Sequence, residues 1–185
     1  MPDLVRRLAR LRVPLGFVFA LAVLWFARPT GLTLLSGTVV AAAGEALRIW
    51  AAGHLNKSRE VTSSGPYRWL GHPLYAGSSI MGVGLAIAAN SVVVAVLIAL
   101  YLLTTISAAI RSEEAFLRQK FGDAYDRYRR GPAAGDGSAE SRRFSLQQAI
   151  ANREHRAVAG LAIAVLLLVL KATYNGLFWR MGAGH

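Results

Sequence analysis

Residues 73–110 read PLYAGSSIMGVGLAIAANSVVVAVLIALYLLTTISAAI, two apolar stretches separated by Asn90-Ser91. A helix that crosses a bilayer needs about 20 mainly apolar residues, and each stretch approaches or reaches that length. Asn90-Ser91 leaves room only for a tight turn, so 73–89 and 92–110 are predicted to form an antiparallel helical hairpin. This hairpin predicts a membrane protein.

The composition agrees with that prediction. Of 185 residues, 54% are hydrophobic and 17% charged, and the mean hydropathy of +0.38 is higher than in an ordinary soluble domain. The chain has no cysteine, which excludes disulfides, a thiolate nucleophile, a Cys-ligated metal and S-acylation. We predict no metal site, so any catalysis uses oxygen or nitrogen groups or a cofactor.

Three further segments have the composition of transmembrane helices. We therefore predict an all-α polytopic bundle of about five transmembrane helices, at roughly 13–27, 32–52, 73–89, 92–110 and 157–177. The first segment follows four arginines and could by itself be a secretory signal peptide. Arg28-Pro29 offers no small-residue cleavage site, so a retained helix is the simpler interpretation.

The positions of Lys and Arg predict the orientation. With a cytoplasmic N-terminus, 18 of the 21 basic residues lie inside, and only Arg28, Lys171 and Arg180 lie outside. We predict a bacterial inner (cytoplasmic) membrane protein. The net charge of +11 would favour nucleic acid in a soluble protein, but here the charge flanks membrane helices and attracts anionic lipid. Membrane lipids are therefore predicted contacts, nucleic acid is not, and no protein partner is evident.

His72 precedes Pro73 at the start of the hairpin. A residue before proline is disfavoured in helical geometry, whereas proline suits the first helical turn, so His72 is predicted at the helix N-cap. The free N–H groups and the positive dipole end there favour an anion such as a carboxylate or phosphate. A histidine at such an interface can be structural or catalytic.

Glu113 and Glu114 follow the second helix of the hairpin. Adjacent carboxylates at a membrane edge are costly unless a ligand or partner uses them. The aromatic residues after them share one helical face with spacing i, i+4, i+7, namely Phe121, Tyr125 and Tyr128, which predicts an amphipathic helix on the bilayer surface. That helix does not account for the carboxylates, so a site on the predicted cytoplasmic side is indicated.

Two features of the earlier helices each allow two interpretations. Gly77, Gly82 and Gly84 indicate close helix packing, or close approach of the backbone to a cofactor. Glu45 and Arg48 are three residues apart and can pair, either as an interfacial ion pair or as part of a site.

The chain is predicted to form a single domain over 1–185. Its motif core spans about 47–132, and 131–141, GPAAGDGSAES, is a flexible linker by composition that could also act as a lid. Residues 142–179 are predicted to contain a basic amphipathic segment, resting on the membrane, and the last helix.

The stretch GPYRWLGHPLYAG at 65–77 and the pattern E-E-x-x-L-x-x-x-F-G-x-x-Y-x-x-Y at 113–128 together resemble the isoprenylcysteine carboxyl methyltransferase and phospholipid methyltransferase superfamily. The resemblance covers about 47–132. It implies a multi-span S-adenosylmethionine-dependent methyltransferase with a cytoplasmic cofactor pocket and a lipophilic or lipid-like acceptor that enters from the bilayer.

The resemblance also implies site residues. His72 is the implied catalytic residue, with Arg111 as a nearby candidate. The positions that match the family's cofactor contacts are Glu60, Val61, Thr62, Tyr67, His72, Pro73, Leu74, Tyr75 and Glu113.

The sequence departs from the family pattern at two positions. Gly71 stands where the family usually has arginine before His-Pro, so Arg68 would have to supply that charge. Ala109 stands at the position of the family's substrate-contacting arginine, which weakens the transfer of a prenylcysteine substrate.

The chemistry of S-adenosylmethionine agrees with these residues. Its sulfonium, ammonium and carboxylate require acidic groups, aromatic faces and anion-binding groups together. Glu113 could bind the ammonium or a ribose hydroxyl, Tyr67 or Tyr75 could face the cofactor, and the helix N-terminus with His72 could hold the carboxylate. Methyl transfer requires alignment and exclusion of water more than acid–base help, although an amine acceptor must be neutral and His72 could then act as base.

The predicted function is isoprenylcysteine carboxyl methyltransferase-like methylation of a lipophilic acceptor. The first alternative is N-methylation of phosphatidylethanolamine. A different class, suggested by Gly71 and Ala109, is a non-enzymatic membrane scaffold or transport component that keeps the fold.

Overall fold

The computed structural model of the protein describes residues 18–56, 62, 64–122 and 143–176. This part of the chain is helical, without strands, which confirms the all-α prediction. Its elements are α1 (18–26), α2 (Gly31–His54), a 3₁₀ turn (Gly65–Arg68), α3 (Pro73–Ala89), α4 (Val92–Phe121), α5 (Leu146–Ala151) and α6 (Glu154–Tyr174).

Helices α2, α4 and α6 are long and apolar enough to cross a membrane. Helix α3 is also apolar but shorter, with 17 residues. Each of the five predicted segments overlaps a helix. Residues 13–17 of the first segment and residue 177 of the last lie outside the described residues, and the last helix ends at Tyr174. The prediction of a polytopic membrane bundle is confirmed, while the full number of spans and the orientation stay predictions.

The helical hairpin has the predicted geometry at its start and at the turn between its two helices. His72 is the N-cap of α3 with non-helical backbone angles, and Pro73 occupies the first turn. Asn90 ends α3 in the left-handed conformation, with φ of 48°, and α4 begins two residues later. Helix α4 then continues to Phe121 without a break, so Glu113 is carried on the same rigid helix as the apolar hairpin.

Helices α2 and α3 pack backbone against backbone. A Cβ atom on Gly84 would lie 2.3 Å from the backbone nitrogen of Ala41, and one on Gly44 would lie 2.5 Å from that of Met81. Both separations are too short for any side chain, so this contact requires glycine on both helices. The close packing predicted from the small residues of 73–89 is therefore present.

Helix α5 closes the C-terminal end of α2. The side-chain amide of Asn152 donates to the carbonyls of Ala52 and Leu55 at 2.8 and 2.9 Å, and that of Gln148 donates to Leu55 at 3.0 Å. These bonds satisfy carbonyls that a helix end leaves without partners. The segment predicted to rest on the membrane is thus also bound to α2.

The bundle has two ends that differ in their residues. The end that contains His54, His72 and Glu113 is called the His72 end. At the other, the Arg28 end, the backbone N–H of Arg28 donates to the Ala89 carbonyl at 2.8 Å, and the Asn90 side chain donates to the Arg28 carbonyl at 3.1 Å.

Candidate functional site

His72 lies between two carboxylates at the His72 end. Its Nδ1 is 3.9 Å from Glu113 Oε2, and its Nε2 is 3.6 Å from Glu114 Oε1. All three side chains are partly exposed, Glu113 the most at 41%. The hairpin turn brings the start of α3 beside the continuation of α4, and this juxtaposition produces the cluster.

Tyr75 belongs to the same cluster. It lies one turn after His72 on α3, where residues three apart share a face, and the two ring centroids are 5.7 Å apart. The Tyr75 hydroxyl also interacts with the Glu113 carboxylate. We call His72, Tyr75, Glu113 and Glu114 the His72 cluster.

An apolar cavity of about 390 Å³ lies between α3 and α4 and reaches the His72 cluster through Tyr75. Its other lining residues include Phe19, Met81, Leu85, Ile98 and Ala109. Phe19 comes from α1, and its ring stacks on Tyr101 with centroids 5.1 Å apart. Ala109 leaves the cavity wall uncharged where the family pattern would place an arginine.

Two other residues predicted to bind the cofactor are buried, unlike the partly exposed residues of the His72 cluster. Tyr67 is 7% exposed and Thr62 is 8% exposed, and the Thr62 hydroxyl accepts a bond from the backbone N–H of Asn56 at 3.4 Å. Glu60 and Val61 lie outside the described residues, as do Tyr125, Tyr128 and the linker 131–141.

Pro73 and Leu74 belong to the first turn of α3. Pro73 is buried and Leu74 is half-buried. The role of Pro73 is therefore to fix the backbone at the start of α3. Gly71 precedes His72 in open space, because a Cβ atom there would meet nothing within 4 Å.

Arg111 and Arg68 are exposed. Arg111 lies two residues before Glu113, about 200° around α4, and within the described part of the chain it makes no recorded contact with His72. The structure therefore brings together His72, Tyr75 and Glu113 from the predicted set, but does not join Arg111 to them.

Glu45, Arg48 and Glu154 form a buried ionic network one helical turn from this cluster. Both Glu154 carboxylate oxygens accept from Arg48 Nη2, at 3.0 and 3.1 Å, and Arg48 also bonds Ser78 of α3. The predicted pair with Glu45 is present at 3.4 Å. Since Ser78 lies one turn beyond Tyr75, the network ties the site helix to α2 and α6.

Sequence reasoning found Glu45 and Arg48 but missed Glu154 and gave no role to Glu114. Both residues could have been noticed in the sequence, because Glu154 is an acid in the first turn of an apolar helix and Glu114 directly adjoins Glu113. In the structure Glu154 is only 7% exposed. Within the described ranges, no group of three or more His, Cys, Asp or Glu side chains could hold a metal ion.

The sequence profile of the phospholipid methyltransferase family matches residues 17–124. This match spans more than half of the chain and includes the whole His72 cluster. The chain belongs to the phospholipid methyltransferase family. The resemblance seen in the two sequence motifs is thereby confirmed, and the cavity beside Tyr75 is a feature of this family member.

Three curated proteins are similar to the chain. A nickel-cobalt-cadmium resistance protein of Alcaligenes xylosoxydans xylosoxydans is 36% identical over 88 residues, which are 46% of this chain and 41% of that protein. The protein-S-isoprenylcysteine O-methyltransferase of Schizosaccharomyces pombe is 31% identical over 101 residues, 55% of this chain and 43% of the enzyme. A cobalt-zinc-cadmium resistance protein of Cupriavidus metallidurans is 33% identical over 88 residues, 46% and 41% of the two chains.

The matched part of this chain thus spans about two fifths of the length of each of these relatives. No solved structure matches the chain significantly.

Proposed function

We propose that this family member is a membrane-embedded methyltransferase that uses S-adenosylmethionine and methylates a lipophilic or lipid-like acceptor at the His72 end. The observation that carries the proposal is the position of Tyr75. It belongs to the polar His72 cluster and also lines the apolar cavity between α3 and α4. A charged cofactor and an apolar acceptor can therefore meet at one residue.

The His72 cluster is complementary to the charges of S-adenosylmethionine. The cofactor carries two cationic groups and one carboxylate. Glu113 and Glu114 make the cluster acidic and so attract the cations, and the more exposed Glu113 is proposed to contact one of them. Among the described residues, no side chain caps the N-terminus of α3. Pro73 has no N–H, and the N–H groups of Tyr75 and Ala76 donate to the His72 carbonyl, so the N–H of Leu74 and the positive end of the helix dipole are proposed to attract the cofactor carboxylate. When bound, the cofactor would supply the electrophilic methyl group.

Other residues are proposed to complete the cofactor site by family resemblance. His72, Pro73, Leu74 and Tyr75 would line it at the start of α3. Tyr67 and the stretch from Glu60 through Val61 to Thr62 would support it from the preceding segment. Because Tyr67 and Thr62 are buried, their proposed contribution is to position the neighbouring backbone.

The lining of the proposed acceptor cavity is mostly apolar, and an apolar lining favours the exclusion of water and the alignment that methyl transfer requires. An isoprenylcysteine-like carboxylate acceptor requires no base. With Ala109 on the wall, however, the cavity lining named above offers such a carboxylate no cation.

The uncharged wall favours a second candidate, an acceptor with an amine head such as phosphatidylethanolamine. Its ammonium would be attracted to Glu113 and Glu114, and it must lose a proton before it can accept a methyl group. His72 and the two carboxylates are placed to receive that proton. Arg111 is exposed on another face of α4 and is proposed to contact headgroups at the membrane surface.

Two of the relatives have names that refer to metal resistance. The alternative of a different class is a non-enzymatic membrane scaffold or transport component that retains the fold, and Gly71 and Ala109 are the residues that suggest it. Binding of the cofactor separates that alternative from the enzyme. We place the site on the cytoplasmic side of the bacterial inner membrane, because 18 of the 21 basic residues would then lie inside.

The test is calorimetric titration of S-adenosylmethionine and S-adenosylhomocysteine into the detergent-purified chain. Micromolar binding that Glu113→Gln weakens and Arg156→Gln does not would support the enzyme. Radiolabelled methyl transfer to membrane lipids would then identify the acceptor, since a methyl ester is labile to mild base and a methylated amine is not. A well-folded wild type that binds neither compound would contradict the proposal.

A further inference from the structure

A second cavity, of about 530 Å³, lies at the Arg28 end, on the opposite side of the bundle from the His72 cluster. It is lined by Trp25, Ala27, Arg28, Lys171 and Asn175. Trp25 belongs to the last turn of α1, and Ala27 and Arg28 belong to the connection before α2. Lys171 lies in the last turn of α6, and Asn175 is the C-cap of that helix. The function proposed above uses none of them.

The described lining of this Arg28-end cavity contains two cations, Arg28 and Lys171, and no acid. The four carboxylates of the described residues are Glu45, Glu113, Glu114 and Glu154, and all lie at or toward the His72 end. On α6 itself, Glu154 precedes Lys171 by 17 residues, a separation of about 25 Å along the axis. The field inside the cavity therefore favours an anion.

Lys171 is held in place by the backbone. Its Nζ donates to the Trp25 carbonyl at 3.3 Å, which uses one of the three donors of an ammonium group. The remaining donors can bind an anion together with the Arg28 guanidinium. Arg and Lys are the side chains that bind phosphate oxygens through charge-assisted hydrogen bonds.

The aromatic residues around the cavity place it at headgroup depth. Trp25 is 78% exposed, Phe26 is 45% exposed and Tyr174 is 90% exposed. Exposed Trp and Tyr at the end of apolar helices are typical of the membrane interface, where their rings lie among lipid headgroups. A phosphate at that depth belongs to a phospholipid.

We propose that the Arg28-end cavity binds the phosphate of an anionic phospholipid, from the leaflet opposite to the proposed active site. A zwitterionic lipid brings its own cation to Arg28 and Lys171 and binds less well. A lipid held there would bridge α1 and α6. This inference does not depend on methyl transfer.

The experiment measures lipid binding to the intact detergent-purified chain by native mass spectrometry, with phosphatidylglycerol and phosphatidylcholine of identical acyl chains. At about 1 kcal/mol per basic residue near anionic lipid, we expect phosphatidylglycerol to bind about 30-fold more tightly. The double variant Arg28→Gln/Lys171→Gln should lose that preference. Arg156→Gln, which removes a charge at the other end of α6, should keep it.

Three results would overturn the proposal. The first is equal binding of the two lipids by wild type. The second is a loss of the phosphatidylglycerol preference in Arg156→Gln as large as in the double variant. The third is displacement of phosphatidylglycerol by inorganic phosphate at matching concentration, which would assign the cavity to a soluble anion. If the double variant unfolds in a thermal melt, Lys171→Gln alone replaces it. That variant should show a smaller loss of the phosphatidylglycerol preference, and an unchanged preference would count against the site.

Discussion

His72 Nε2 lies 3.6 Å from Glu114 Oε1, closer than His72 Nδ1 lies to Glu113 at 3.9 Å. Glu114 is also the less exposed of the two carboxylates. This arrangement indicates that the two carboxylates have different roles. We infer that Glu114 orients the imidazole, and that the more exposed Glu113, which also interacts with Tyr75, is available to a ligand.

The two carboxylates should respond differently to amide substitution. Glu113→Gln should weaken S-adenosylmethionine binding by about 10- to 100-fold, the loss expected for a hydrogen bond to a charged group. Glu114→Gln should have a smaller effect on affinity, because it acts through His72. Calorimetric titration of both variants measures the difference, and the reverse order of the two affinities would assign the ligand to Glu114.

Arg48→Met should destabilise the protein by about 3–5 kcal/mol, because it leaves the buried Glu154 and Glu45 without a counter-charge. The loss is measured as a change in unfolding free energy in mixed micelles. The triple variant with Glu154→Gln and Glu45→Gln should recover part of the stability. A single variant that is as stable as wild type would show that the network contributes little.

Gly84→Leu should prevent correct packing of α2 against α3, because even a Cβ atom at this position lies 2.3 Å from the Ala41 backbone. Gly160→Leu is the matched control, since a Cβ atom on Gly160 meets nothing within 4 Å. Replacing a helical glycine there should be neutral or stabilise by up to about 1 kcal/mol. Size-exclusion profiles and thermal melts of the two variants report the contrast, and a monodisperse, stable Gly84→Leu protein would refute the close contact.

Gly71→Arg should fold as wild type does, because the position is open and has no left-handed backbone angle. If the family's arginine assists cofactor binding, the variant should bind S-adenosylmethionine several-fold more tightly. Gly71→Gln has a similar length without the charge and should not. Equal affinities of the two variants would show that Arg68 or another group already supplies the charge.

Ala109→Arg should change the acceptor preference, because it places a cation on the wall of the apolar cavity. Carboxylate acceptors should gain relative to amine acceptors by about tenfold, the effect of one charge-assisted hydrogen bond. Ala109→Leu controls for the lost volume. The ratio of base-labile to base-stable methylated product measures this change, and an unchanged ratio would place the acceptor head elsewhere.

Several positions at the candidate site could be predicted from local sequence, whereas the contacts between helices could not. The N-cap position of His72 follows from the proline after it, and the small residues of α3 indicate its close packing with α2. Arg111, however, is a close neighbour of Glu113 in sequence and lies on another face of α4. Proximity along a helix does not imply a shared site, because each residue rotates the side chain by about 100°.

The sequence by itself determined the helices of this membrane protein and their order, because apolar length, proline and turn residues act locally. The motifs at 65–77 and 113–128 also indicated the family. Only the tertiary structure decided that Glu114 contacts His72, that Glu154 joins Arg48 across 106 residues, and that Tyr75 faces both a polar cluster and an apolar cavity. Those relationships depend on how each helix is rotated against its neighbours, and that rotation results from packing between residues distant in the chain.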